Sequence, residues 1–233
     1  MAKFCTKCGK SLEEGKTCTC AKNAPVQNAN KDLMTTILDV AKGMFTKPVD
    51  TMKSFIDDNN FNAALIILGI VSLVASFVTC LAVKELSSLI TSIMTLSNPL
   101  GSLGSVPEIN YAKVFFQTLL AAAVMFASLS GILYVVADKM FKGKTSFKKI
   151  VTLLAAANII MIATLLVSLV FMYVSAQLML IVIVFGSALY SCYTYQGLKL
   201  GVKIDENKLA YIYAISIMVL FVVFGIILPN VMM

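Results

Sequence analysis

Five stretches of this chain carry apolar residues almost without a break: 63–83, 112–137, 150–174, 178–195 and 209–228. A helix needs roughly 20 apolar residues to cross about 30 Å of hydrocarbon, and each run has close to that length or more. None holds an acidic or basic residue in its middle. In hydrocarbon every backbone N–H and C=O must find its partner inside the segment, which selects helix for a run of this kind. The pattern therefore predicts an all-α polytopic membrane protein, with five transmembrane helices in a membrane domain over 61–233. The 32–60 stretch has a different rhythm. Leu33, Ile37, Val40, Ala41 and Met44 fall on one helical face, and Val49, Met52, Phe55 and Ile56 on another, with Pro48 between them at a position suited to a first helical turn. These segments carry too many charges to span. They read as amphipathic helices in the membrane interface, with Lys42, Lys47 and Lys53 near anionic headgroups; packing beneath the bundle would use the same stripes. The stretch 23–31 has no apolar period and reads as a flexible tether. The long, mostly polar segment ahead of the first run is unlike a signal peptide, so all five spans are expected to persist.

Composition agrees with this class: 59% hydrophobic, 13% charged, mean hydropathy +0.88. All nineteen basic residues are Lys, and the chain has no Arg, His or Trp, which rules out guanidinium clamps and imidazole chemistry. Lysine placement also orients the chain, because positively charged connections stay cytosolic. Nine lysines precede the first run. Lys139, Lys142, Lys144, Lys148 and Lys149 follow the second, and Lys199, Lys203 and Lys208 follow the fourth. The alternate connections hold only Lys84 and Lys113. The expected topology has a cytosolic N-terminus and an extracytoplasmic C-terminus.

That orientation gives meaning to "FCTKCGKSLEEGKTCTC" at 4–20. Thiols in a reducing compartment favour a metal site over a disulfide. Cys5, Cys8, Cys18 and Cys20 form a complete four-thiolate set in a chain without imidazoles, the closed arrangement of structural zinc. Gly9 and the "EEG" turn at 13–15 suit a thiolate knuckle and a tight return. Some twenty residues bury too little core to fold unaided, so one zinc ion would supply most of the folding free energy of a ribbon over 1–22. A redox CxxC would sit at a helix start in a βαβ setting, which this sequence lacks. The segment resembles the N-terminal zinc-ribbon modules of many bacterial membrane proteins, which open with CxxCG; the closing "CTC" departs from their usual second CxxC. Cys80 and Cys192, inside spans, read as small packing residues.

Two further passages resemble a known family. "MFTKPVDTMKSFIDDNNFNAALIILGI" is similar to the entry segment of the bacterial branch of the Yip family, five-span proteins whose eukaryotic members are called Ypt- or Rab-interacting proteins. There, a basic residue before Pro, here Lys47–Pro48, precedes an amphipathic stretch and the first span. "SGILYVVADKMFKGKTSFKKIVTLLAAANII" is similar to the family's second-span exit, basic loop and Ala-rich third span, with Lys142, Gly143, Ser146 and Phe147 at the matching positions. Bacterial members often carry a His near the end of the second span; here Tyr134 and Asp138 stand nearby. The resemblance implies a Yip-like arrangement in a bacterial cytoplasmic membrane, and a role through protein contacts rather than catalysis.

The spans offer little for chemistry. Coupled transporters usually place ionisable groups in their spans, whereas here the interiors carry Gln117, Asn158, hydroxyls and tyrosines. Asn158 and Gln117 read as intramembrane polar packing residues, with a substrate site as the alternative. Small residues at four-residue spacing (Ala123, Ala127 and Gly131; Ser72 and Ser76; Ser187 and Ser191) read as close helix contacts. The connection over 84–113 carries an apolar stripe, Leu86 to Met94, expected to lie as a helix on the outer interface and cap the bundle or dock a partner. No nucleotide-binding, nucleophile or metalloprotease motif is present, and no specific nucleic-acid contact is predicted. The expected function is a non-enzymatic membrane scaffold or assembly factor. It would sit in the lipid bilayer and recruit a protein partner through the zinc module and interfacial helices. The alternative is a small-solute permease or channel component with an uncharged pathway, which needs a water-accessible cavity lined by Asn158, Gln117 and Tyr190.

Overall fold

The computed structural model describes residues 3–4, 11–12, 33–57, 60–97 and 109–232. The predicted zinc ligands, the 23–31 tether and residues 98–108 of the outer connection lie outside those residues. The chain divides into two units, Met1–Asp32 and Leu33–Met233. In the first, strands β1 (Lys3–Phe4) and β2 (Ser11–Leu12) pair antiparallel, with Lys3 opposite Leu12 and Phe4 opposite Ser11.

In the second unit, α1 (Leu33–Thr46) and α2 (Pro48–Asp57) precede five long helices: α3 (Phe61–Ser97), α4 (Tyr111–Tyr134), α5 (Phe147–Met172), α6 (Ala176–Gly201) and α7 (Glu206–Met232). Each of the five has a segment long and apolar enough to span a bilayer, so the five-span expectation holds. The helices overrun the apolar runs because backbone hydrogen bonding continues past the hydrocarbon until a cap or turn stops it. Asn110 caps α4 by accepting from the Lys113 N–H at 3.0 Å, and Ser146 caps α5 by accepting from the Lys149 N–H at 3.3 Å. The 84–97 stretch continues α3 without interruption instead of starting a separate helix, giving α3 37 residues, or about 55 Å at the α-helical rise.

Helix α5 is the centre of the bundle. Residues 150–160 are buried without exception, and the helix packs against α3 and α6 along its length, and against α1, α2 and α4. Ala155, Ala156 and Ala157 keep its surface thin, so neighbouring backbones come close. On the α6 side glycines serve the same end. A Cβ at Gly197 would stand 3.2 Å from Leu153 Cβ, and one at Gly201 would stand 3.3 Å from Leu153 Cδ2. Helix α7 packs chiefly on α4.

Helices α1 and α2 are separated by Lys47 alone and pack against each other. Met44 and Met52 are fully buried, and Val40, Phe55 and Ile56 nearly so; α1 lies on α3 and α5, and α2 on α5 and α6. Most of each stripe read from the sequence is thus used for packing on the bundle, while Leu33 and Val49 stand exposed. A second face of α1 is exposed and also apolar, with Met34 at 62%, Leu38 at 61% and Phe45 at 61% exposure.

Candidate functional site at the basic end of the bundle

The second and fourth inter-span connections, 141–146 and 202–205, meet at one end of the bundle. Helix α4 finishes in a π-helical turn, Val135–Met140, in which the Phe141 N–H donates to the Val136 carbonyl at 3.1 Å. Lys142 then takes φ 56°, a left-handed conformation, and the Gly143 N–H reaches back to the Ala137 carbonyl at 2.8 Å. Glycine is needed at 143: a Cβ there would lie 2.9 Å from the Ala137 carbonyl oxygen and 2.8 Å from Val202 Cγ1. The chain thereby turns onto the 202–205 connection. Lys144 and Lys203 form an antiparallel bridge, with the Lys203 N–H donating to the Lys144 carbonyl at 3.5 Å. Thr145 Oγ1 donates to the Gly201 carbonyl at 3.1 Å.

This contact brings together eight lysines, Lys139 to Lys149 and Lys199 to Lys208, that the sequence supplies from two separate connections. Two ion pairs form at this end among the described residues: Lys139 with Asp138 at 3.2 Å, and Lys199 with Glu206 at 2.8 Å. The Lys148 ammonium lies 5.9 Å from the centroid of the Phe61 ring, joining the start of α5 to the start of α3.

The predicted polar packing residues are not brought together. Asn158 is buried, and its Nδ2 donates to the Leu154 carbonyl at 2.8 Å. Across the seam on α6, Thr194 Oγ1 donates to the Tyr190 carbonyl of its own helix at 2.8 Å. Gln117 is half-buried on α4, away from this α5–α6 seam. The grooves found along the bundle are lined almost entirely by apolar side chains. One, between α1, α5 and α6, includes Phe45, Ile160, Val167, Phe185 and Tyr193, and another, between α3, α4 and α5, includes Leu65, Gly69, Ala123 and Phe126. Ser72 and Ser76 are buried as expected and donate to the Leu68 and Ser72 carbonyls at 2.9 and 2.8 Å. The other small-residue stripes correct the sequence reading: Ala123, Ala127 and Ser187 are exposed, and Gly131 has open space where its Cβ would be. Four-residue spacing marks a helix face but does not say whether protein or lipid covers it. Cys80 is half-buried, with its Sγ 3.6 Å from the Tyr111 carbonyl, while Cys192 is exposed and so does not pack within the chain.

Cys5, Cys8, Cys18 and Cys20 lie outside the described residues, among which no cluster of three or more potential metal ligands occurs. In sequence, Cys5 and Cys8 fall between the paired strands β1 and β2, and the four cysteines supply as many thiols as a tetrahedral thiolate set needs.

The Yip1 domain family model matches residues 42–227, from the end of α1 through most of α7, leaving the cysteine-bearing segment outside. No curated protein and no solved structure matches the chain.

Proposed function

The chain belongs to the Yip1 domain family of membrane proteins, and from that premise we propose that it is a non-enzymatic scaffold or assembly factor of a bacterial cytoplasmic membrane. Its N-terminus faces the cytosol, where the zinc module and the α1–α2 pair recruit a protein partner. The observation that carries this reading is the use made of polar groups inside the spans. Ser72, Ser76, Ser130, Asn158 and Thr164 each donate to a carbonyl four residues back in their own helix, which leaves packing rather than solute coordination as their task. Charge is concentrated at one end, where the 141–146 and 202–205 connections form a firm surface. Cys5, Cys8, Cys18 and Cys20 would hold one zinc ion, which supplies the folding free energy of the small module when bound. The module keeps a recognition surface in shape, and the tether lets it reach a partner.

The test is removal of 1–30. The truncated protein should insert and purify as a monodisperse five-span bundle with an unchanged unfolding temperature, since helices in hydrocarbon close their own hydrogen bonds. A partner captured by the full chain after gentle solubilisation should be lost. Solute flux in reconstituted vesicles that survives the deletion but falls on Asn158→Leu or Gln117→Leu, with no partner lost, would replace the scaffold by the permease.

A further inference from the structure

The bridge between the two basic connections sets Lys144 and Lys203 directly opposite each other, both exposed. Cross-strand neighbours have Cβ atoms about 5 Å apart, and like charges in that relation destabilise the pairing. The bond at Thr145 and the seating of Gly143 against Val202 hold the two segments together, so backbone movement does not relieve the repulsion. The carboxylates of these connections form no ion pair with either lysine. Asp138 pairs with Lys139, Glu206 pairs with Lys199, and Asp205 Oδ1 accepts the Asn207 N–H at 3.0 Å. Among the described residues, Lys144 and Lys203 have no ion-pair partner. Lys144 and Lys203 are thus cross-strand neighbours outside both ion pairs, at an end of the bundle rich in lysine.

We infer that Lys144 and Lys203 clamp a phosphate group. A tetrahedral phosphate presents several acceptor oxygens and enough negative charge to answer two ammoniums at once. Lysine acts here as a point charge and needs no fork geometry. The site lies where α4, α5, α6 and α7 begin or end, the level at which lipid headgroups meet a spanning bundle, so the phosphate comes either from an anionic phospholipid or from solution. This inference does not depend on the scaffold reading or on zinc.

The full-length protein is followed by thermal unfolding in two settings: in detergent with sodium phosphate or sodium chloride at equal ionic strength, and in nanodiscs of phosphatidylcholine with or without phosphatidylglycerol. Wild type should be stabilised by phosphate over chloride if the source is free phosphate, and by phosphatidylglycerol alone if it is a headgroup. Either result supports the clamp, provided that Lys144→Gln and Lys203→Gln abolish most of the gain, with about fivefold weaker apparent binding for each lysine lost. In neutral bilayers the same variants should unfold no lower than wild type, because removing one charge relieves the repulsion. Lys144→Glu, which supplies Lys203 with a partner, should unfold higher there and ignore phosphate. Lys208→Gln, exposed at the same end but outside the bridge, should keep the full response. The clamp is overturned if neither anion stabilises wild type, or if Lys208→Gln loses as much as the bridge variants, which would mean diffuse attraction only.

Discussion

Gly186 on α6 faces Thr164 on α5 so closely that a Cβ there would overlap Thr164 Oγ1 and Cγ2 and stand 2.6 Å from Thr164 Cβ. Thr164 is itself buried, its hydroxyl donating to the Ile160 carbonyl at 2.9 Å, so turning away from a new methyl group would break that bond. Gly186→Ala sets two effects against each other. Alanine favours helix over glycine by about 1 kcal/mol, while forcing atoms into a packed seam costs about 1–3 kcal/mol. The clash should win, with a net loss of up to about 2 kcal/mol and an unfolding temperature lower by about 4–8 °C for a chain of this size. Gly69 on α3 is the control, because nothing lies within 4 Å of where its Cβ would be. There only the helix preference acts, and Gly69→Ala should raise the unfolding temperature by about 2–4 °C. Adding Thr164→Ala to Gly186→Ala removes the two overlapping atoms and should recover part of the loss. The assay is thermal unfolding of the purified protein in one detergent throughout. Equal stabilisation by Gly186→Ala and Gly69→Ala would refute the close α5–α6 approach and, with it, the central place of α5.

Asn158→Leu removes the amide that donates to the Leu154 carbonyl inside its own helix and should change stability by no more than about 0.6–1.7 kcal/mol, measured by chemical unfolding; a larger loss would reveal a partner on another helix. Ser216 on α7 is fully buried, and its Oγ is without a hydrogen-bond partner among the described residues; Ser216→Ala should therefore be neutral or stabilise by about 1 kcal/mol, and a clear destabilisation would reveal a partner. Elemental analysis of the full chain should give one zinc per molecule, lost in the Cys18→Ser/Cys20→Ser double variant. Zinc affinity should weaken as pH falls, because thiols must ionise to bind. Lys142→Cys and Ser102→Cys, each placed on a background without native thiols, should label unequally with an impermeant maleimide in intact cells; equal labelling would refute the lysine-based orientation.

Spanning helices are legible in a sequence because the signal is local. Hydrocarbon demands long apolar runs with their own hydrogen bonds satisfied, and five such runs are present in this chain. The stripes of 33–56 are legible for the same reason, since a helical face repeats whatever it touches, and Pro48 marks the junction between α1 and α2. What covers each face is not local. Lipid tails are as apolar as leucine, so hydropathy does not separate a helix wrapped by protein from one wrapped by lipid. Helix α5 is no more apolar than α7, yet 67% of its most apolar window is buried against 17% for α7. The same ambiguity left Ala123 and Ala127 looking like an interior seam when they face outward, and left Gly186 unremarked although it sits against Thr164. At the basic end, lysines 59 residues apart in the chain, Lys144 and Lys203, become cross-strand neighbours. Five spans, their basic connections and a four-thiolate segment can be read from the chain alone, because length, hydropathy and spacing are properties of single segments. That α5 is the core, that α1 and α2 lie on the bundle, and that Lys144 and Lys203 become cross-strand neighbours depends on which segments meet, which no single segment specifies.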